Sequence, residues 1–347
     1  MKTIVKQVLG IDVAQKELVV CLGRMYDDWA SELYSHRTFT NSVNGFETML
    51  VWVKKLTVEN VPVRFVMEAT GVYHEQLAYY LEEKGYAVSI VLPNKISNYF
   101  KSLDVKTVTD KTASDAIAQF GLERKLDDWK RPKEIFRYMK QLTRERDQVV
   151  DERTVAKNQL HAEETQAYPN KKSVARIKAR IKLLNKQVAE IKSEIASLIK
   201  EEVEVNSSVE RICSIPGVGL LTAATVLAET NGFELIRNKR QLASYAGFDV
   251  QEKQSGTSVK GKPRISKKGN KHLRKAMHLP ALSAIRHEER FKTVFVRLVS
   301  KHGVKMKAAV AVQRKLLEMI YTIYKSNTVF EKDYLINPAV VNQHMTA

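Results

Sequence analysis

From Val174 to Leu198 the apolar residues Val174, Ile177, Ile181, Leu184, Val188, Ile191, Ile195 and Leu198 alternate spacings of three and four without a break. That is the a/d seam of a long helix that must lie along another helix. The positions between are full of Lys, Arg and Glu. A second helix is expected from about Lys133 to Gln166, ending at the turn signal Tyr168-Pro169-Asn170. Its seam (Met139, Leu142, Val149, Ala156, Leu160) is interrupted by Arg146 and Arg153. The pair reads as a coiled-coil helical hairpin over residues 131–205. Its stripe suits intramolecular packing, a dimer contact or a nucleic-acid clamp.

The segments on either side of the hairpin have different patterns. Residues 1–130 alternate strand-like and helix-like runs. Val8 to Ile11, Glu17 to Leu22, His36 to Thr40, Val63 to Met67 and Ala87 to Leu92 read as strands. Gly45 to Leu56, Tyr73 to Glu83 and Asp110 to Arg124 read as helices, giving an α/β domain. Residues 206–327 read as mainly α-helical with one Gly- and Lys-rich stretch, and 328–347 as an irregular tail.

Charge narrows the partners. The 347 residues hold 57 Lys+Arg against 39 Asp+Glu, a formal charge of +18. That balance favours a polyanion. Cys21 and Cys213, the two cysteines, sit in apolar runs, so neither a disulfide framework nor a Cys-based zinc site is implied. No apolar run reaches transmembrane length and no signal-peptide core opens the chain. The expectation is a cytoplasmic protein, nucleoid-associated when bound, with no membrane partner.

Two acids sit at expected strand ends, Asp12 in Gly10-Ile11-Asp12-Val13 and Glu68 in Met67-Glu68-Ala69. Asp110 opens an expected helix and also suits a helix cap. Carboxylates converging there would repel one another unless a hard divalent cation neutralised them. Mg²⁺, held by few carboxylates, keeps positions open for phosphate oxygens, and two ions can serve both sides of a phosphodiester.

The second half carries two nucleic-acid signals. Ile215-Pro216-Gly217-Val218-Gly219, followed by a helix from Leu220 to Glu229, resembles a helix-hairpin-helix turn. There Gly217 and Gly219 would let backbone N–H groups approach a phosphate, the alternative being a tight turn between packed helices. Then Lys253, Lys260, Lys262, Arg264, Lys267, Lys268, Lys271, Arg274 and Lys275 run without an intervening Asp or Glu. This is the strongest candidate contact with a phosphate chain. Ser255 lies in that run, and a serine nucleophile there would need a base or metal brought from elsewhere.

With these motifs in order, the chain resembles the DEDD-type insertion-sequence transposases, the group that includes the Piv invertase and the bridge-RNA-guided (seekRNA) recombinases. The resemblance rests on Gly10-Ile11-Asp12-Val13, Met67-Glu68-Ala69-Thr70-Gly71, Thr109-Asp110-Lys111 and Ile117-Ala118-Gln119-Phe120-Gly121. It continues through Ile215-Pro216-Gly217-Val218-Gly219, Tyr245-Ala246-Gly247, Gln254-Ser255-Gly256, Arg264 to Asn270, and Ala311-Val312 with Arg314-Lys315-Leu316-Leu317. It implies a RuvC-like (RNase H-like) first domain, a coiled-coil insertion and a transposase domain. It implies Mg²⁺ on Asp12, Glu68 and Asp110, and Ser255 as a nucleophile that links covalently to DNA. Donor and target DNA, a non-coding guide (bridge) RNA and a homo-oligomer, dimer or tetramer, are the implied partners. Sequence choice then lies mainly with the RNA.

One position departs from the pattern. An Asp is expected at 113, where Ala113 stands. Either Ala113 replaces a metal-binding acid and weakens catalysis, or Asp115 substitutes by a local shift, although two residues along a helix point to another face. Two other functions compete with the recombinase. A RuvC-type metal-dependent nuclease or junction resolvase would use water and leave no protein–DNA adduct. A non-catalytic nucleic-acid scaffold would tolerate loss of both Ser255 and Asp12.

Overall fold

The computed structural model describes residues 2–331 apart from Thr70, Asp104, Lys106, Val108, Leu235, Lys253, 256–258 and Lys262. For Gln254, Ser255, Val259 and Lys260 it describes backbone only. Most of the expected tail, 332–347, lies outside the described residues. The chain divides into two compact units, Met1–Arg131 and Pro132–Ala347. The hairpin segment, set apart in the sequence as 131–205, belongs to the second.

The first unit runs β1 (Ile4–Val13), β2 (Glu17–Tyr26), β3 (Ser31–Thr40), α1 (Val43–Leu56), β4 (Val63–Glu68), α2 (Glu75–Glu83), β5 (Ala87–Val91), α3 (Pro93–Phe100) and α4 (Asp110–Glu123). Its five strands lie in the order β3-β2-β1-β4-β5. β1, β2 and β3 form an antiparallel meander, and β4 and β5 run parallel to β1 and β4. β1 is covered on both faces, which is why Val8-Leu9-Gly10-Ile11 is an unbroken run of small and apolar residues. Leu9, Ile11, Phe65 and Met67 pack with Phe46 and Met49 of α1 and Leu77 and Leu81 of α2. On the opposite face, Val8 and Val66 pack with Ile117 and Leu122 of α4 and Ile96 of α3. β1 and the β2-β3 hairpin are longer than the apolar runs suggest, since antiparallel backbone pairing continues through their polar ends.

The second unit begins with α5 (Glu134–Glu164) and α6 (Lys171–Glu201). Arg153 bonds Asn185, Gln159 bonds Arg180 and Glu164 pairs with Lys178, so the two helices are antiparallel. Of the α6 seam, Leu184, Val188, Ile191 and Ile195 are buried, while Val174, Ile177 and Ile181 nearer the turn are half-buried. The base of the hairpin shares a core with the remaining helices. In it Ile135, Phe136, Met139, Ile195 and Ile199 meet Val209, Leu227, Leu316 and Ile320. Those helices are α7 (Val203–Cys213), α8 (Leu220–Thr230), α9 (Lys239–Ala246), α10 (Lys271–His287), α11 (Glu289–His302) and α12 (Lys305–Ser326). Between α9 and α10, four two-residue strands form a nested ribbon. In it β6 (Val250–Gln251) pairs with β9 (Arg264–Ile265), and β7 (Gln254–Ser255) with β8 (Val259–Lys260). No described helix is long and apolar enough to cross a membrane.

Candidate carboxylate centre and basic ribbon

Asp12 is the penultimate residue of β1 and Glu68 the last of β4. The neighbouring parallel pair is Ile11 with Met67, so the two acids follow it on adjacent strands. Alternation puts both on the face that carries α4, shared with Val8 and Val66. Asp110 is the first residue of α4. It is not the cap. Thr109 takes that role, its hydroxyl accepting from Thr112 N while Thr112 Oγ1 accepts from Thr109 N. The Asp110 carboxylate is thereby left to the centre.

Glycine sets how closely α4 lies. A Cβ on Gly10 would stand 2.3 Å from Ala118 N and 2.5 Å from Ser114 O. A Cβ on Gly121 would stand 2.7 Å from Val8 Cγ1. Helix and strand therefore cross backbone against backbone, which brings the first turn of α4 to the strand ends.

The electrostatics register this convergence. The Asp12 carboxyl is pushed up to about 6, first by burial, then by the negative charges of Asp110 and Glu68. Like charges gathered in a half-buried site are the arrangement a hard cation relieves, and an all-oxygen donor set suits Mg²⁺. The residues present fit such an ion. Ala113 stands one turn along from Asp110, where a further carboxylate would adjoin it. Asp115 does not fill that place: it points to the other side of α4 and bonds the His36 ring on β3.

In the second unit a network that the sequence analysis missed holds the basic ribbon. Glu229 of α8 is wholly buried. Its carboxylate accepts from Arg144 Nε at 2.7 Å, Arg144 Nη2 at 3.0 Å and Asn270 Nδ2 at 2.7 Å. Burial pushes this carboxyl up, but the bonds from Arg144 and Asn270 outweigh it and leave it below the usual range. Asn270 also caps α10, accepting from His272 N and Leu273 N, and its own N–H donates to Tyr245 O at 2.8 Å. Gly269 packs so tightly on α9 that a Cβ would meet Tyr245 O at 2.5 Å. The signal for this network was available in the sequence, as a single acid near the end of the apolar stretch Leu220 to Ala228.

The expected basic contacts separate. Arg264, Lys267, Lys268 and Lys271 are exposed. Arg274 is turned inward, Nη1 donating to Ala246 O at 2.6 Å, because the last carbonyls of α9 need a donor. Lys275 pairs with Asp151 of α5 at 2.9 Å. Lys253 and Lys262 lie outside the described residues, and Ser255 and Lys260 are placed by backbone alone. Of the turn glycines, Gly217 at φ +89° meets α10, where a Cβ would stand 2.7 Å from Pro280 O. It serves helix packing. Gly219 caps α8 and faces open space.

Comparison with known proteins covers both units. A family described as "Transposase" matches residues 9–169, and the "Transposase IS116/IS110/IS902 family" matches residues 209–295. The pilin gene-inverting protein of Moraxella bovis is 27% identical over 333 residues, spanning 94% of this chain and 98% of that protein. The transposase for insertion sequence element IS1111A of Coxiella burnetii is 31% identical over 120 residues, 33% of this chain and 32% of that protein. Among solved structures, the T. thermophilus RuvC complex with a Holliday junction substrate aligns with 35% of this chain and 99% of its own at TM-score 0.26 and 14% identity. With the first family match running over the carboxylate unit and most of the hairpin, and the second over the glycine turn and basic ribbon, the chain belongs to the IS110 family of insertion-sequence transposases.

Proposed function

We propose that this transposase cuts and rejoins DNA through a covalent link between Ser255 and a DNA phosphate, assisted by the Asp12–Glu68–Asp110 centre. The observation that carries the reading is the convergence of these three acids, registered in the raised Asp12 carboxyl. Mg²⁺ bound by them would neutralise charge on the reacting phosphate. The Ser255 Oγ–P bond forms as the P–O bond to the leaving deoxyribose oxygen breaks, and the serine proton passes to a base. The acids belong to the first unit and Ser255 to the second. The family pattern pairs the serine of one subunit with the acids of another, which makes an oligomer the working form. Arg264, Lys267, Lys268 and Lys271 hold the DNA backbone, and Gly219 at the start of α8 offers N–H groups to a further phosphate. A non-coding guide RNA selects donor and target by base pairing. Ala113 leaves the centre one carboxylate short and slows the chemistry.

The test incubates the protein with Mg²⁺, its element-encoded RNA and labelled donor and target DNA, and looks for a denaturation-resistant protein–DNA adduct. The adduct is expected to vanish in Ser255→Ala and Asp12→Asn, to need the RNA, and to increase in Ala113→Asp. Nicked DNA without adduct, unchanged in Ser255→Ala, would overturn the serine mechanism in favour of hydrolysis.

A further inference from the structure

On the face of the sheet that carries α4, but away from the carboxylate centre, three different metal-ligating side chains meet. Cys21 of β2 pairs in register with Gly10 of β1 on one side and His36 of β3 on the other. Gly10 is where α4 touches the sheet. Asp115 projects from α4 toward β3 and bonds His36 Nε2. The Cys21 sulfur, a His36 ring nitrogen and an Asp115 carboxylate oxygen all lie within 4.8 Å of one another. Cys21 is fully buried, whereas the His36 and Asp115 side chains are each 29% exposed. One side of the cluster is thus closed by protein and the other opens to solvent.

We infer that Cys21, His36 and Asp115 form a binding site for a borderline-soft divalent cation, Zn²⁺ in chemical class, distinct from the carboxylate centre. One thiolate, one imidazole and one carboxylate are the donor types Zn²⁺ takes, with water completing a tetrahedron on the solvent side. Mg²⁺ demands oxygen ligands and is refused by this set. Bond lengths of about 2.0–2.3 Å place tetrahedral ligand atoms roughly 3.3–3.7 Å apart, within reach of small side-chain rotations here. The metal replaces the hydrogen bond between His36 and Asp115 and displaces the Cys21 thiol proton to solvent, so no redox change is involved. It ties β2 and β3 to α4, the helix whose first residue is Asp110, and so steadies one acid of the carboxylate centre. Burial and the neighbouring Asp115 push the Cys21 thiol up, with Lys111 offsetting only part of this, so it is the bound cation that would hold Cys21 as thiolate. The motifs that carry the family resemblance do not include Cys21 or His36.

The test strips the full-length protein of metal and titrates it with Co²⁺ in excess Mg²⁺, which occupies the oxygen site. A thiolate-to-cobalt charge-transfer band and intense tetrahedral d–d bands are expected, saturating at one ion per chain and bleached by Zn²⁺. Cys21→Ser abolishes the charge-transfer band, and His36→Ala weakens Co²⁺ binding at least about tenfold. Cys213→Ser and Asp12→Asn leave the spectrum unchanged, which separates this site from the other cysteine and from the carboxylate centre. Circular dichroism checks the fold of each variant. Should Cys21→Ser not fold, His36→Ala on the edge strand decides the matter. Absence of a thiolate band at saturating Co²⁺, or a band of unchanged affinity in His36→Ala, overturns the site and leaves a buried polar cluster.

Discussion

Asp12, half-buried, and Glu229, wholly buried, are two acids with opposite solutions. Asp12 is withdrawn from water and sits among like charges, and both, burial first, make its folded carboxyl hold a proton more tightly than the unfolded chain does. For a raised acid, stability is fully present at low pH and is lost as pH rises from the ordinary aspartate range to about 6. Thermal melts of the metal-free protein are expected to fall across that window, and Mg²⁺ to reverse the fall, with apparent affinity rising until about pH 6. Asp12→Asn should flatten the pH dependence and remove the Mg²⁺ increment; a wild-type profile as flat as the variant's would refute the convergence. Glu229 is satisfied by Arg144 and Asn270. Its carboxyl is held low, so its contribution is present above the ordinary glutamate range and is lost as pH falls through the depressed value. Glu229→Ala should cost about 3 kcal/mol in urea unfolding, since it strands both partners, and Glu229→Gln, which keeps one acceptor, about 1.5 kcal/mol.

At the scale of elements, α4 does most to build the carboxylate centre. It is positioned by the absence of side chains at Gly10 and Gly121, and its first turn is closed by Thr109 and Thr112, leaving Asp110 for the centre. Gly10→Ala puts a methyl where Ala118 N stands, so the helix must lift. The expected loss is about 1–3 kcal/mol of stability. Mg²⁺ affinity measured calorimetrically should fall as well, because Asp110 moves from Asp12. Stability loss with intact Mg²⁺ affinity would show that α4 does not set the centre. The hairpin works by another principle. Its α6 stripe is buried at the base, where it joins the core of the second unit, and half-buried toward Asn170. One periodic pattern therefore serves both as domain core and as projecting arm.

For the whole molecule, charge and architecture divide the work. Acids collect at the strand ends of the first unit, and the exposed cations Arg264, Lys267, Lys268 and Lys271 run from the last ribbon strand to the start of α10 in the second. DNA affinity should fall steeply with salt, with a log–log slope of about −0.9 per neutralised phosphate. Replacing Lys267 and Lys268 by Ala should reduce the magnitude of that slope by about 2, measured by fluorescence anisotropy across a salt series. Arg274→Ala should lower stability and leave the slope nearly unchanged, because its guanidinium caps α9. Equal slopes for wild type and the double variant would move the DNA contact elsewhere.

Local pattern determined what depends on neighbours in the chain. The heptad run specifies a long helix needing a partner, the apolar runs specify strands, and the one-sided basic run specifies an excess of positive charge in one segment. The ordered motifs identify the family. Tertiary structure decided what depends on residues far apart. It chose Thr109 over Asp110 as the cap, and turned Arg274 inward while leaving Lys267 and Lys268 outside. It set Gly217 tightly against α10. It gathered Cys21, His36 and Asp115 from a sequence distance that no motif spans. The reason is physical: propensity and periodicity act within a few turns of chain, whereas the fate of a charge depends on which distant donors and acceptors share its low-dielectric surroundings.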